Sequence, residues 1–346
     1  MKTEYIGRGQ AAVMLALFGV LFGVLNREWI SVGVGLADTA VSALILAAAV
    51  IPLAVLSGKY EGSVPKLCAE RLGFLGRVIN ILFLVYFIAA SGTVLGEYGK
   101  FVSERYFPEA GSAVCIIMLG LVCIYISHTG AETVCRMSTV LLFMLVLTSA
   151  VFLFGAWRDI CGFDFSSVTV PKLSLSRGFG GIFPMGAAGC ACLCVMNWGL
   201  GNRTRCGAYG GIAAMLAAAS GITAAVWFTL GDYVHSSEYP LTDSVIYAAR
   251  EGTFRNDGLF FSLWTVIAAA VISLLAACGG HALKCAVPKI KWEGIISGLG
   301  AVLCALWGMY SEVSFCKILF ENPVPSLILI FAVPIILLIF GKGKSR

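Results

Sequence analysis

The 346-residue chain is 59% hydrophobic and 12% charged, where soluble domains carry about 25% charged residues. Its mean hydropathy is +0.91. The net charge of +5 comes from 24 Lys/Arg against 19 Asp/Glu, a modest excess that gives no sign of nucleic-acid binding. Most soluble functions are excluded at once.

Ten stretches of at least 18 residues contain no Lys, Arg, Asp or Glu: 9–26, 39–58, 78–96, 110–131, 137–157, 178–202, 206–231, 258–283, 294–311 and 322–341. A bilayer's hydrocarbon core needs about 20 apolar residues per helix. The sequence therefore predicts an all-α polytopic membrane protein with about ten transmembrane helices, here spans 1–10. Forty glycines fit this reading, because small residues let membrane helices approach closely. No connection is long enough for a soluble domain, so residues 1–346 are expected to form a single transmembrane helical domain in the lipid bilayer.

Lys2 and Arg8 precede the first run as in a signal peptide, but Leu25-Asn26-Arg27-Glu28 follows in place of a small-x-small cleavage site. The run is read as span 1. After span 2, Pro65-Lys66-Leu67-Cys68-Ala69-Glu70-Arg71-Leu72 is amphipathic and is expected to lie along the membrane surface. Glu132 and Arg136, four apart at the start of span 5, form a helix-end ion pair. Residues 240–252 have the composition of a short helix between spans 7 and 8.

Basic residues in the connections set orientation. With the N-terminus inside, the cytoplasmic segments hold 15 of the 24 Lys/Arg and 5 of the 19 Asp/Glu. N-in, C-in is favoured.

Cys190, Cys192 and Cys194 form C-x-C-x-C in span 6. At 100° per residue Cys192 faces away from the other two, and no carboxylate lies in the run, so packing outweighs metal binding. No nucleophile–base pair or metal constellation appears, so catalytic residues, metals and cofactors are not expected.

Interrupted helices are where transporters bind polar substrates. Two runs carry interruptions: Gly19-Val20-Leu21-Phe22-Gly23 in span 1, and Gly178, Gly180, Gly181, Pro184, Gly186 and Gly189 in span 6. Spans 1 and 6 correspond if the chain is a 5+5 inverted repeat with broken helices 1 and 6. For Gly19 and Gly23, a G-x-x-x-G packing face is an equal alternative. A proline with several glycines makes span 6 the stronger case.

Polar residues within the spans are the second clue, since they are costly there. They are Asn80, Ser91 and Thr93 in span 3, His128 ending span 4, Asn197 in span 6, Thr223 in span 7, and Thr265 and Ser273 in span 8. Any single Ser or Thr can instead bond its own helix. The expected ligand-binding set is Gly19, Phe22, Gly23, Ser91, Thr93, Phe183, Gly186, Ala187, Gly189 and Thr265.

Several segments resemble the spore germination permease family, the B subunits of germinant receptors. Leu95-Gly96-Glu97-Tyr98-Gly99-Lys100-Phe101-Val102 with Tyr106-Phe107-Pro108-Glu109 is similar to the family's L-R-E-F-x-x-F…L-P-x-T-P. Gly130-Ala131-Glu132-Thr133-Val134-Cys135-Arg136 resembles G-[LI]-E-x-[IV]-x-R. Tyr239-Pro240-Leu241, then Gly252-Thr253-Phe254-Arg255-Asn256-Asp257 and Trp264, resemble Y-P-x…G-x-F-x-x-R-x-[DE]…W. Where members show P-F-G-E in span 6, this chain has Pro184-Met185-Gly186-Ala187, without the acid. Span 2 opens with Gly35-Leu36-Ala37-Asp38-Thr39-Ala40, similar to G-x-D-A-W without its tryptophan.

The resemblance implies membership of the amino acid–polyamine–organocation superfamily and a ten-helix, broken-helix fold. It further implies a small-molecule germinant, typically an amino acid, and A-type and C-type partner subunits. A secondary amino-acid transporter and a structural or assembly subunit with a vestigial pocket are the alternative readings.

Overall fold

The computed structural model describes residues 8–26, 32–60, 62–156, 177–196, 203–250, 257–311 and 315–340, which are overwhelmingly helical and contain no strand. Span 1 is α1 (Arg8–Leu25), and span 2 is α2 (Val32–Ala49) continued by α3 (Ile51–Lys59). A short α4 (Val64–Leu72) precedes span 3, the long α5 (Phe74–Arg105). Spans 4 and 5 are α6 (Gly111–Thr129) and α7 (Ala131–Gly155). Span 6 is α8 (Phe183–Val195), span 7 is α9 (Arg203–Leu230), and the short α10 (Pro240–Arg250) leads to span 8, α11 (Asp257–Ala286). Span 9 is α12 (Glu293–Tyr310). The short α13 (Phe315–Glu321) then leads into span 10, made of α14 (Pro323–Leu327), a π turn at Ile328–Ala332 and α15 (Val333–Phe340).

Eight of the described helical stretches are long and apolar enough to cross a membrane, and Gly9–Leu25 and Phe183–Val195 are shorter apolar helices. Together they fall on the ten expected spans. Prolines explain the irregular ones. Pro52 lacks an N–H to extend the ladder where α2 meets α3, but Val50 N→Leu46 O and Ala54 N→Val50 O, both 3.0 Å, carry the helix through the kink. Pro334, just past the π turn of span 10, removes another donor there.

Lipid supplies no hydrophobic force between helices, so close approach depends on small residues. A Cβ at Gly19 would lie 2.6 Å from the Met215 carbonyl oxygen, one at Gly23 would lie 2.7 Å from Ile222, and one at Gly211 would lie 2.8 Å from Leu15. These pairings ascend together along both chains, so α1 and α9 run parallel. By the same reading α5 and α12 are parallel: Gly300 meets Ile88, and Gly92 meets Cys304 and the Ala301 carbonyl. The outward faces of α6 and α7 expose Met118, Leu121, Tyr125, Phe143 and Leu147, an apolar belt suited to lipid.

Two expectations need correction. Span 1 is not broken within α1, which runs unbroken from Arg8 to Leu25. Its glycines form the packing face against α9, so the inverted-repeat expectation keeps only the interruption in span 6. Nor does α4 lie free along a surface. Val64, Pro65, Leu67 and Cys68 are buried, and Asn80 Nδ2 of α5 donates to the Pro65 carbonyl at 2.9 Å. Gly73, at φ +56°, allows the reversal that folds α4 back onto α5. The Glu132–Arg136 ion pair and the helix from residue 240 are both present.

Candidate functional site

Span 6 is interrupted where the glycines cluster. A 3-10 turn at Arg177–Phe179 is followed by Gly181 at φ +51°, a left-handed conformation that favours glycine. Pro184 then sits in the first turn of α8. The 13 residues of α8 rise about 20 Å at 1.5 Å per residue, short of a bilayer core of about 30 Å. Backbone freed by such an interruption needs a partner within the protein. Ser42 of α2 provides one, its hydroxyl shared between the carbonyls of Gly178 (2.7 Å) and Asp38 (2.8 Å).

The expected site residues divide into three groups. Gly19, Phe22, Gly23, Phe183, Gly186, Ala187 and Gly189 gather where α1, α8 and α9 meet, and the space between them is filled. A Cβ at Gly181 would lie 4.0 Å from the Phe22 ring, one at Gly186 would lie 2.6 Å from Leu46 and 2.8 Å from Met215, and one at Gly189 would lie 3.5 Å from Leu15 and Phe18. Phe183 stacks edge-on against Phe179 at 5.2 Å, and Ala187 is fully buried.

Ser91 and Thr265 belong to the contact between α5 and α11. The Ser91 hydroxyl donates to the Phe87 carbonyl at 2.6 Å. Thr265 Oγ1 bonds its own helix at Phe261 O and lies 2.9 Å from the Tyr98 hydroxyl.

Thr93, two residues beyond Ser91 and so about 200° around the helix, faces elsewhere. It lines a cleft of about 320 Å³ between α5 and α12, with α13 at its edge. Glu97 and Lys100 of α5 and Lys317 of α13 also line it. Lys317 Nζ lies 3.2 Å from Glu97 and 3.6 Å from Glu321. Partial burial alone would push the Lys317 pKa down, but the two carboxylates outweigh it and hold the ammonium above the ordinary lysine value. A disulfide between Cys304 of α12 and Cys316 of α13 fixes the residue next to Lys317 against the cleft.

Sequence reasoning missed this disulfide. Its signal was two cysteines 12 residues apart across a short connection between spans. Also missed was Tyr86 of α5, beside Cys190 and Cys192 of α8, whose buried hydroxyl has no hydrogen-bond partner among the described residues. Asn197 and the 252–256 motif lie outside the described residues.

The Tyr239 and Trp264 fragments converge with the end of α5. Tyr239 stacks edge-on against Phe101 at 5.0 Å and its hydroxyl donates to Glu104, while Trp264 lies 6.4 Å from the same Phe101 ring. Arg105 pairs with Asp243 of α10. Motif residues as far apart in sequence as Phe101 and Trp264 thus form one end of the bundle, binding α10 and α11 to α5.

Residues 14–163, from α1 to just past α7, match the model of the spore permease family, described as spore germination protein. The match makes this stretch, under half of the chain, similar to the spore germination permease family. No curated protein is matched by the chain. A spore germination permease match on an all-helical bundle of apolar spans supports a germination-related, permease-like role in a membrane.

Proposed function

We propose that the protein is the membrane subunit of a spore germinant receptor, binding a small germinant such as an amino acid and signalling through A-type and C-type partner subunits. The observation that carries this reading is the spore germination family match over spans 1–5. Two features support an interior ligand site along α8: the interruption that precedes it at Gly178–Gly181, packed on α2, and the Tyr86 hydroxyl of α5, which has no partner among the described residues. Buried tyrosine hydroxyls ordinarily find a partner, so Tyr86 is the group a polar ligand would engage. Sensing is favoured over accumulation because Ala187 stands where family members carry an acid, leaving no titratable group there to couple uptake to a gradient. Signalling needs only different affinity for two conformations.

The membrane is the inner one, with both termini cytoplasmic. The Lys/Arg distribution supports this, and so does the Cys304–Cys316 bridge, which that topology puts on the oxidising, outer side. The close packing around Phe183 and Ala187 favours a second reading, an assembly subunit with a vestigial pocket. Purified protein in liposomes, assayed for both binding and uptake of labelled amino acids, separates these readings. Binding without accumulation is expected. Gradient-driven accumulation would make it a transporter, and neither activity would leave the assembly subunit.

A further inference from the structure

We propose that the cleft between α5 and α12 is a binding site for a compact zwitterion, its ammonium at Glu97 and its acid group at Lys317 and Lys100. The cleft and its charges carry this inference, which stands independently of the germination reading and of the interior site. Its volume of about 320 Å³ lies at the small end of ligand pockets, about 300–1,000 Å³. Few side chains fill it: Gly92 and Gly96 of α5 and Ala305 and Gly308 of α12 line it, and a Cβ at Gly96 would come no nearer than 3.7 Å to Ala305. Space is therefore left by the absence of side chains on both helices, and charge of both signs is concentrated beside it.

Thr93 is the independent sign of a ligand. Thr39, Thr148, Thr223, Thr229 and Thr265 each bond the carbonyl four residues back, the usual resolution for a threonine in a membrane helix. Thr93 does not. Its hydroxyl is buried, has no hydrogen-bond partner among the described residues and lies one turn below Glu97 in the cleft lining. A bound acid group or ammonium would satisfy it.

The charges are arranged for exchange. Glu97 and Lys317 are 30% and 49% exposed, and so open an ion pair is worth little by itself. A zwitterion inserted between them offers each charge a new partner at small cost. The Cys304–Cys316 bridge holds α13 in place beforehand, so little order has to be gained on binding. Tyr310, 84% exposed, stands at the mouth. Both a free amino acid and the headgroup of phosphatidylethanolamine present this pair of charges, so the shared chemistry is a primary ammonium close to an acid group.

The test uses the full chain in phosphatidylglycerol vesicles with labelled L-alanine, then in vesicles containing phosphatidylethanolamine. L-alanine is expected to bind, while propionate and ethylamine, each carrying one of its two charges, compete at least tenfold more weakly. Glu97→Gln and Lys317→Met should each weaken alanine binding at least tenfold with unchanged thermal unfolding, since both side chains are partly exposed. Gly96→Ala, which has room for its methyl group, should weaken it by narrowing the cleft. If alanine fails to bind but phosphatidylethanolamine raises the melting temperature of the parent and not of Glu97→Gln, the zwitterion is the lipid headgroup. The proposal is overturned if neither ligand distinguishes the parent from Glu97→Gln and Lys317→Met. A germination defect, present or absent, does not bear on that outcome.

Discussion

Gly76 and Cys68 are in backbone contact: a Cβ at Gly76 would lie 1.9 Å from the Cys68 carbonyl oxygen. That approach closes the reversal between α4 and α5 and brings Pro65 within reach of Asn80. It also seats α4 against α11, where Ser63 Oγ lies 3.0 Å from His281 Nε2. A single hydrogen in place of a methyl group is what lets a nine-residue helix become part of the bundle.

Gly76→Ala is therefore expected to force α4 away from α5. Overpacking of this kind costs about 1–3 kcal/mol or more, and it should appear as a lower melting temperature in detergent. Gly221→Ala, where nothing lies within 4 Å, should melt like the parent. Equal melting of all three proteins would show that the α4–α5 contact is dispensable.

The parallel packing of α1 on α9 gives a second stability test. Gly23→Val places branched carbon against Ile222, already only 2.7 Å from where the first added carbon would lie. Ligand-free protein should lose about 1–3 kcal/mol, measured by thermal unfolding. A variant of parental stability that loses only ligand binding would return Gly23 to the role of a binding residue.

Much of the fold was legible because charge-free length is a physical requirement of the bilayer, and the ten runs needed no information beyond it. Proline and glycine together also located the interruption before α8. Gly19 and Gly23 were not decidable from sequence: a G-x-x-x-G pair serves equally for a break or for a neighbour, and only Met215 and Ile222 across the interface distinguish them. The cleft was illegible for a different reason. Its charges come from α5 and from α13, more than 200 residues apart in sequence, and each alone reads as an ordinary helix-end charge. Thr93 was picked out for its polarity, but its direction depends on which helix packs beside α5.

The bridge and the topology can be read together with thiol chemistry. The chain has 13 cysteines, and denaturing alkylation without reduction should count two fewer reactive thiols than after reduction, owing to Cys304–Cys316. In intact cells an impermeant thiol reagent should label Ser236→Cys above the parental background and leave Lys66→Cys unlabelled; both positions are exposed. The reverse labelling would invert the proposed orientation and put the bridge on the reducing side.

Tyr239 tests whether the motif fragments at the end of α5 are packing or ligand chemistry. The ring is 4% exposed and stacked on the fully buried Phe101, and the hydroxyl donates to the exposed Glu104. Removing the ring should leave a cavity, so Tyr239→Ala is expected to cost about 3–5 kcal/mol. Tyr239→Phe keeps the ring and loses one hydrogen bond to a carboxylate open to solvent, so its cost should be about 1 kcal/mol. Thermal unfolding of both variants, with alanine binding measured on Tyr239→Phe, separates the two roles. A large gap between Phe and Ala with binding intact is the expected result, and makes Tyr239 the anchor of α10. Binding lost in Tyr239→Phe at near-parental stability would make the hydroxyl a ligand contact and extend the site from Glu97 toward Glu104.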